Sequence, residues 1–145
     1  MCLRPDCGLC NICMRGFNIE ENVGRSPARG KRCQWLMYGK GLYFGSVSGK
    51  ANDFTAETEK LATDGTKVRC MLVADVAAGE AFVTTEKYFP QVERAPLGYN
   101  SVVGEVGPHL NYLELVVYDP AAALPTHFVV YRKKSPPPAS PTLKN

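Results

Sequence analysis

The sequence predicts an α+β domain that is mostly β. Two observations point there: short, β-branched apolar runs recur between glycine- and proline-bearing segments, and a single stretch near the middle reads as helix. Of the 145 residues, 45% are apolar and 21% charged, a globular composition that excludes wholesale disorder. That length fits one domain with a core of its own. The formal net charge of +3, from 17 basic and 14 acidic residues, excludes a dedicated polyanion binder. No apolar run approaches the roughly eighteen residues of a membrane span, so no membrane partner is expected. The opening MCLRPDCGLC has no apolar signal-peptide region, and the expected location is cytoplasmic or nuclear.

Residues 1–34 hold a cysteine cluster and then a polar surface loop. Four of the six cysteines crowd here, Cys2, Cys7, Cys10 and Cys13, spaced C-x4-C-x2-C-x2-C. In a reducing compartment disulfides are not expected, and thiolates two residues apart in a loop turn onto one tetrahedral ion, which points to structural zinc. The ligands are either these four, or a subset completed by Cys33 or an upstream thiol. The alternative is a set of free or half-buried thiols. Cys70 opens an apolar run and reads as a small core residue. ENVGRSPARGKR follows, polar and basic. Its Arg25, Arg29, Lys31 and Arg32 read as a solvated loop, so nucleic acid is not expected as a direct partner.

WLMYGKGLYFG, residues 35–45, reads as a tight Gly-Lys-Gly turn entering a short strand, LYF. Ser46 or Ser48 then caps a helix over about 49–62 that carries Ala51, Phe54 and Leu61. CMLVADVAAG, 70–79, is a strand ended by glycine. Residues 80–100 read as a long loop, with pre-proline stops at Phe89 and Ala95. SVVG, 101–104, is a short strand, and EVGPHLNY, 105–112, a turn-rich loop. LELVVYD, 113–119, alternates as a strand. DPAAALP punctuates, and THFVVYR, 126–132, is the last strand. The tail KKSPPPASPTLKN has four prolines in thirteen residues and is expected to be disordered.

Glu114 stands out on physical grounds. On a regular strand it shares a face with Tyr112 and Val116, and a carboxylate among core-type neighbours requires a partner or a task.

Three collinear segments resemble one known family. GKGLYFGSVSGKANDF, 39–54, is similar to the nicotinamide-binding segment of the poly(ADP-ribose) polymerase superfamily. MLVADVAAGEA, 71–81, is similar to a following strand, and GYNSVVGEVGPHLNYLELVVYDPAAALPTHFVVY, 98–131, to the acceptor loop and last two strands. The cysteine-rich start, with Arg15 and Phe17 after it, resembles a fungal branch. The resemblance implies an ADP-ribosyltransferase-like split antiparallel β-sandwich with few helices. It implies a catalytic domain over 1–132, N-terminally incomplete, with the tail 133–145 outside it.

The resemblance also implies chemistry: transfer of ADP-ribose from NAD to a protein acceptor with release of nicotinamide. The family's catalytic Tyr falls on Tyr43 and its Glu on Glu114. Gly41, Tyr43, Lys50, Ala51 and Phe54 fall on the NAD-binding segment. Breaking the nicotinamide–ribose bond builds positive charge on C1′, which a carboxylate stabilises by about 3 kcal/mol. An aromatic ring stacked on nicotinamide adds about 0.5–1.5 kcal/mol.

The chain departs from the family pattern in three places. The family's His-Gly pair has no counterpart, because His109 and His127 lie in the wrong order and neither precedes glycine. Ala51 stands where the family has a serine that binds the nicotinamide amide, a loss of about 0.5–1.5 kcal/mol. Phe54 replaces a second stacking tyrosine. Together these weaken NAD binding by more than about a hundredfold. The alternative function is therefore a catalytically inactive binding module on the same fold.

Overall fold

The computed structural model describes residues 7–19, 37–59, 62, 64–86 and 94–133. Two sheets organise the chain. The strands are β1 (Leu42–Gly45), β2 (Arg69–Val76), β3 (Ala81–Thr84), β4 (Ser101–Gly104), β5 (Glu114–Val117) and β6 (Ala123–Tyr131). The larger sheet has the order β1-β5-β4-β3, and the smaller pairs β2 with β6. The described residues include helices α1 (Gly8–Arg15) and α2 (Ser48–Asn52) and a 3-10 turn at Pro120–Ala122. The α+β class holds, and every pair except β3–β4, which is parallel, runs antiparallel.

Register decides which side chains meet. Tyr43 pairs with Val116 and Gly45 with Glu114 across β1–β5, and Val102 pairs with Val116 and Gly104 with Glu114 across β4–β5. Side chains alternate between faces, so Tyr43, Gly45, Glu114, Val116, Val102 and Gly104 share one face. That face carries a core of Tyr38, Val102, Leu110 and Val116, with Tyr43, Phe82 and Tyr118 packed around it. On the opposite face Leu42 and Val117 meet Ala123 of β6, so the two sheets share this second core. Val76, Phe44 and Phe17 pack on it, and Phe17 meets Phe44 edge-on with centroids 5.4 Å apart.

Four expectations need correction. The middle helix is not the only one: Gly8–Arg15 is helical as well, stopped by Gly16 at φ +79°. The helix expected over 49–62 is only five residues long, and Val47, not a serine, stands at its N-cap without a side-chain bond. Beyond it the amides of Asp53, Phe54 and Thr55 donate to the carbonyls of Lys50, Ala51 and Asn52, in tighter turns, and Thr58 then exchanges both backbone hydrogen bonds with Val68, at 2.7 and 2.9 Å. Phe54 therefore lies beyond the helix, and Leu61 lies outside the described residues. The segment 80–100 is not all loop either, since Ala81–Thr84 adds a strand parallel to β4. Asn100 sets that pairing up: its amide donates to the Glu80 carbonyl (2.7 Å) and its side-chain oxygen accepts from the Glu80 amide (2.9 Å). Finally, β6 begins at Ala123 rather than 126, with Pro125 accommodated where the register shifts. The tail expectation falls on residues outside those described, as do Cys2, Cys33 and the basic cluster at 25–32.

Candidate functional site

The site is built on the β1–β5 pair. Gly41 leads into β1 and is buried against β5: a Cβ there would meet Val116 Cγ1 at 2.6 Å and the Val117 carbonyl at 2.9 Å. Only glycine lets the turn lie this close, which sets the start of β1 and so the register of Tyr43. Tyr43 is half-buried. Its hydroxyl donates to the Gly39 carbonyl (2.8 Å) and accepts from the Tyr38 amide (2.9 Å), fastening the turn that precedes its own strand. Tyr118, just past β5, fastens the same turn, donating to the Tyr38 carbonyl at 2.6 Å. Burial pushes the Tyr43 hydroxyl well above the ordinary tyrosine range, and the charge on Glu114 adds to the rise. Tyr38 shifts upward for the same two reasons.

Glu114 opens β5 with a glycine on each side. Its register partners on the same face are Gly45 and Gly104, so no side chain from either neighbouring strand crowds the carboxylate. Two other groups use the space. Tyr38 lies over Gly104, where a Cβ would meet its Cε2 at 2.6 Å. Lys50 reaches across Gly45, its Cδ 3.6 Å from where a Cβ would stand, and its ammonium closes an ion pair with the Glu114 carboxylate. Both side chains are largely buried, 16% exposed for Lys50 and 12% for Glu114. A carboxylate this enclosed needs its countercharge.

Of the residues singled out from sequence, the structure thus brings Glu114 and Lys50 into contact, with Tyr43 on the same face and Gly41 behind it. Ala51 follows Lys50 on α2 and is half-buried. Phe54 is 42% exposed. His109 sits exposed in the loop after β4. His127, exposed on β6, places Nδ1 3.0 Å from Thr126 Oγ1.

Three of the cysteines lie along one helix. Helix α1 begins right after Cys7, so Cys7, Cys10 and Cys13 follow one another at helical rise and span about 9 Å of axis. Cys10 is buried and Cys13 exposed. Among the described residues no group of three or more His, Cys, Asp or Glu side chains is placed to hold a metal ion. Cys2 and Cys33, the other thiols of the expected zinc site, lie outside the described residues. Burial raises the Cys70 thiol, and the nearby Cys13 adds to the rise.

Sequence reasoning missed Tyr38, Asn52 and Arg69. Asn52, the last residue of α2, takes two hydrogen bonds on its side-chain oxygen: from Arg69 Nη1 (3.1 Å) and from the Tyr131 hydroxyl (3.0 Å). Arg69 Nη1 also donates to the Asn52 carbonyl at 3.2 Å. The two glycines at 45 and 104 were legible as signals, since glycine inside a strand marks close approach by another group.

No protein-family model and no curated protein matches the chain. Among the described residues no helix is long and apolar enough to cross a membrane.

Proposed function

We propose that the chain is an NAD-dependent ADP-ribosyltransferase acting on a protein side chain, with its two sheets forming the split β-sandwich of that fold. The observation that carries this reading is the Glu114 carboxylate, held between two glycines and ion-paired to Lys50 on the face that also bears Tyr43. The reaction breaks the bond between ribose C1′ and the nicotinamide nitrogen. The electron pair leaves with nicotinamide, the acceptor nucleophile bonds to C1′, and its proton is released. Positive charge grows on C1′ in between, and a fixed carboxylate stabilises that charge more than it stabilises bound NAD. Lys50 holds the carboxylate in one place. Tyr43 contributes its ring, since its hydroxyl is committed to the turn at Gly39 and Tyr38.

Two observations favour a second reading, a silent binding module on the same fold. Lys50 already satisfies Glu114, and Ala51 offers no hydroxyl beside it. Incubation with NAD labelled in the adenylate half separates the two. The enzyme reading expects label transferred to protein together with free nicotinamide; NAD bound without either product supports the module.

A further inference from the structure

Helix α2 is too short to hold itself. Five residues lie below the length at which a helix persists alone, and no side chain caps its N-terminus. Its position is set from outside, by two contacts on opposite flanks. Lys50 and Asn52 are two residues apart, about 200° around the axis. On one flank Lys50 meets Glu114 of the large sheet. On the other, Asn52 meets Arg69 of β2 and Tyr131 of β6, which are themselves register partners in the small sheet.

The bonds at Asn52 are specific. Its side-chain oxygen accepts from both Arg69 and Tyr131, and the Arg69 guanidinium also caps the carbonyl at the end of α2. A cation at a helix C-terminus is favourable in its own right. Arg69 is in turn steadied by Glu57, 3.7 Å from Nη2. The Arg69 side chain is four-fifths buried, with Nε unpartnered among the described residues. Its donors at Nη1 are thus committed to Asn52.

We propose that Arg69 and Tyr131 are positioning residues for the candidate site: by clamping Asn52 they fix α2 so that Lys50 lies on Glu114. The small sheet thereby controls the orientation of a carboxylate in the large one. The catalytic consequence rests on the NAD reading of Glu114; the clamp itself does not.

Two measurements on the full chain separate these. The first is the side-chain ammonium signal of Lys50 in a proton–nitrogen correlation spectrum, visible because an ion pair slows proton exchange with water, and assigned by its loss in Lys50→Met. It should disappear or broaden in Arg69→Met, weaken in Tyr131→Phe, and persist in Arg132→Met, which removes an exposed ion pair with Asp64. Tyr131→Phe removes a single hydroxyl, so the test stands even where Arg69→Met folds poorly. The second is NAD turnover. Arg69→Met should lower kcat at least about tenfold, as a displaced catalytic group does, but add little to Lys50→Met, because both act through one ion pair. An unchanged Lys50 signal in both Arg69→Met and Tyr131→Phe, or fully multiplicative losses in the double variant, overturns the proposal. A responsive signal with no turnover in the unsubstituted chain supports the clamp and sinks the NAD reading alone.

Discussion

Gly104 and Glu114 face each other across the β4–β5 pair, and the missing side chain at 104 is what lets Tyr38 lie beside the carboxylate. A methyl group at 104 would stand 2.6 Å from Tyr38 Cε2 and 2.7 Å from Leu110 Cδ1, both on buried side chains with nowhere to go. Gly104→Ala should therefore cost about 1–3 kcal/mol, the usual range for overpacking a core. Urea unfolding measures it. A loss below half a kcal/mol, on the order of a neutral surface change, would mean that Tyr38 is not held over Gly104.

Lys50 and Glu114 make a second stability prediction. Removing the lysine leaves a carboxylate 12% exposed without its countercharge. Lys50→Met should destabilise by about 1–3 kcal/mol, somewhat less than breaking a fully buried pair. Adding Glu114→Gln to Lys50→Met should recover part of the loss, because the charge is then gone from both sides. Denaturant midpoints of the two variants decide it. Additive losses would show that the two residues do not act as a pair.

The buried tyrosines predict a loss of stability in alkali. Burial pushes the Tyr118 hydroxyl up to about 12, and burial also raises Tyr43 and Tyr38. A group whose proton is held more tightly when folded leaves stability intact below the unfolded value, near 10 for tyrosine. Stability then falls as pH rises from about 10 towards the folded value, because the unfolded chain releases the proton first. Denaturant midpoints measured between pH 9 and 11 should drop, and Tyr118→Phe should flatten the slope. A slope unchanged in that variant would contradict the burial of its hydroxyl.

Much of this was legible in the chain itself. The LYF, SVVG and LELVVYD runs were legible as strands because they are short apolar runs bounded by glycine and turn residues. Glu114 was identifiable because a carboxylate on a core-facing strand position is physically expensive. Lys50 was named as well, though its partner was not, since an ion pair between α2 and β5 depends on the register of β1 against β5. The same limit hid Asn52 and Arg69, which are seventeen residues apart and meet only once β2 pairs with β6. The helix was overdrawn because its apolar spacing to Phe54 and Leu61 resembled helical period, whereas Thr58 pairs with Val68 in extended form. Ala81–Thr84 was overlooked because its parallel partner lies twenty residues on, with no hairpin signal between them. The helix at Gly8–Arg15 was overlooked because the cysteine spacing was read for an ion and not for helical period.

The central claim is that Glu114 acts on charge that develops at the ribose of NAD. Nicotinamide release from labelled NAD, by the chain and by its Glu114→Gln and Ala51→Ser variants, tests it most directly. Glu114→Gln should lower kcat by on the order of a hundredfold or more with little change in NAD affinity. Ala51→Ser should instead tighten NAD binding by about 3- to 10-fold through a restored hydrogen bond, with kcat nearly unchanged. No nicotinamide release at saturating NAD, or equal release by Glu114→Gln and the unsubstituted chain, would contradict it.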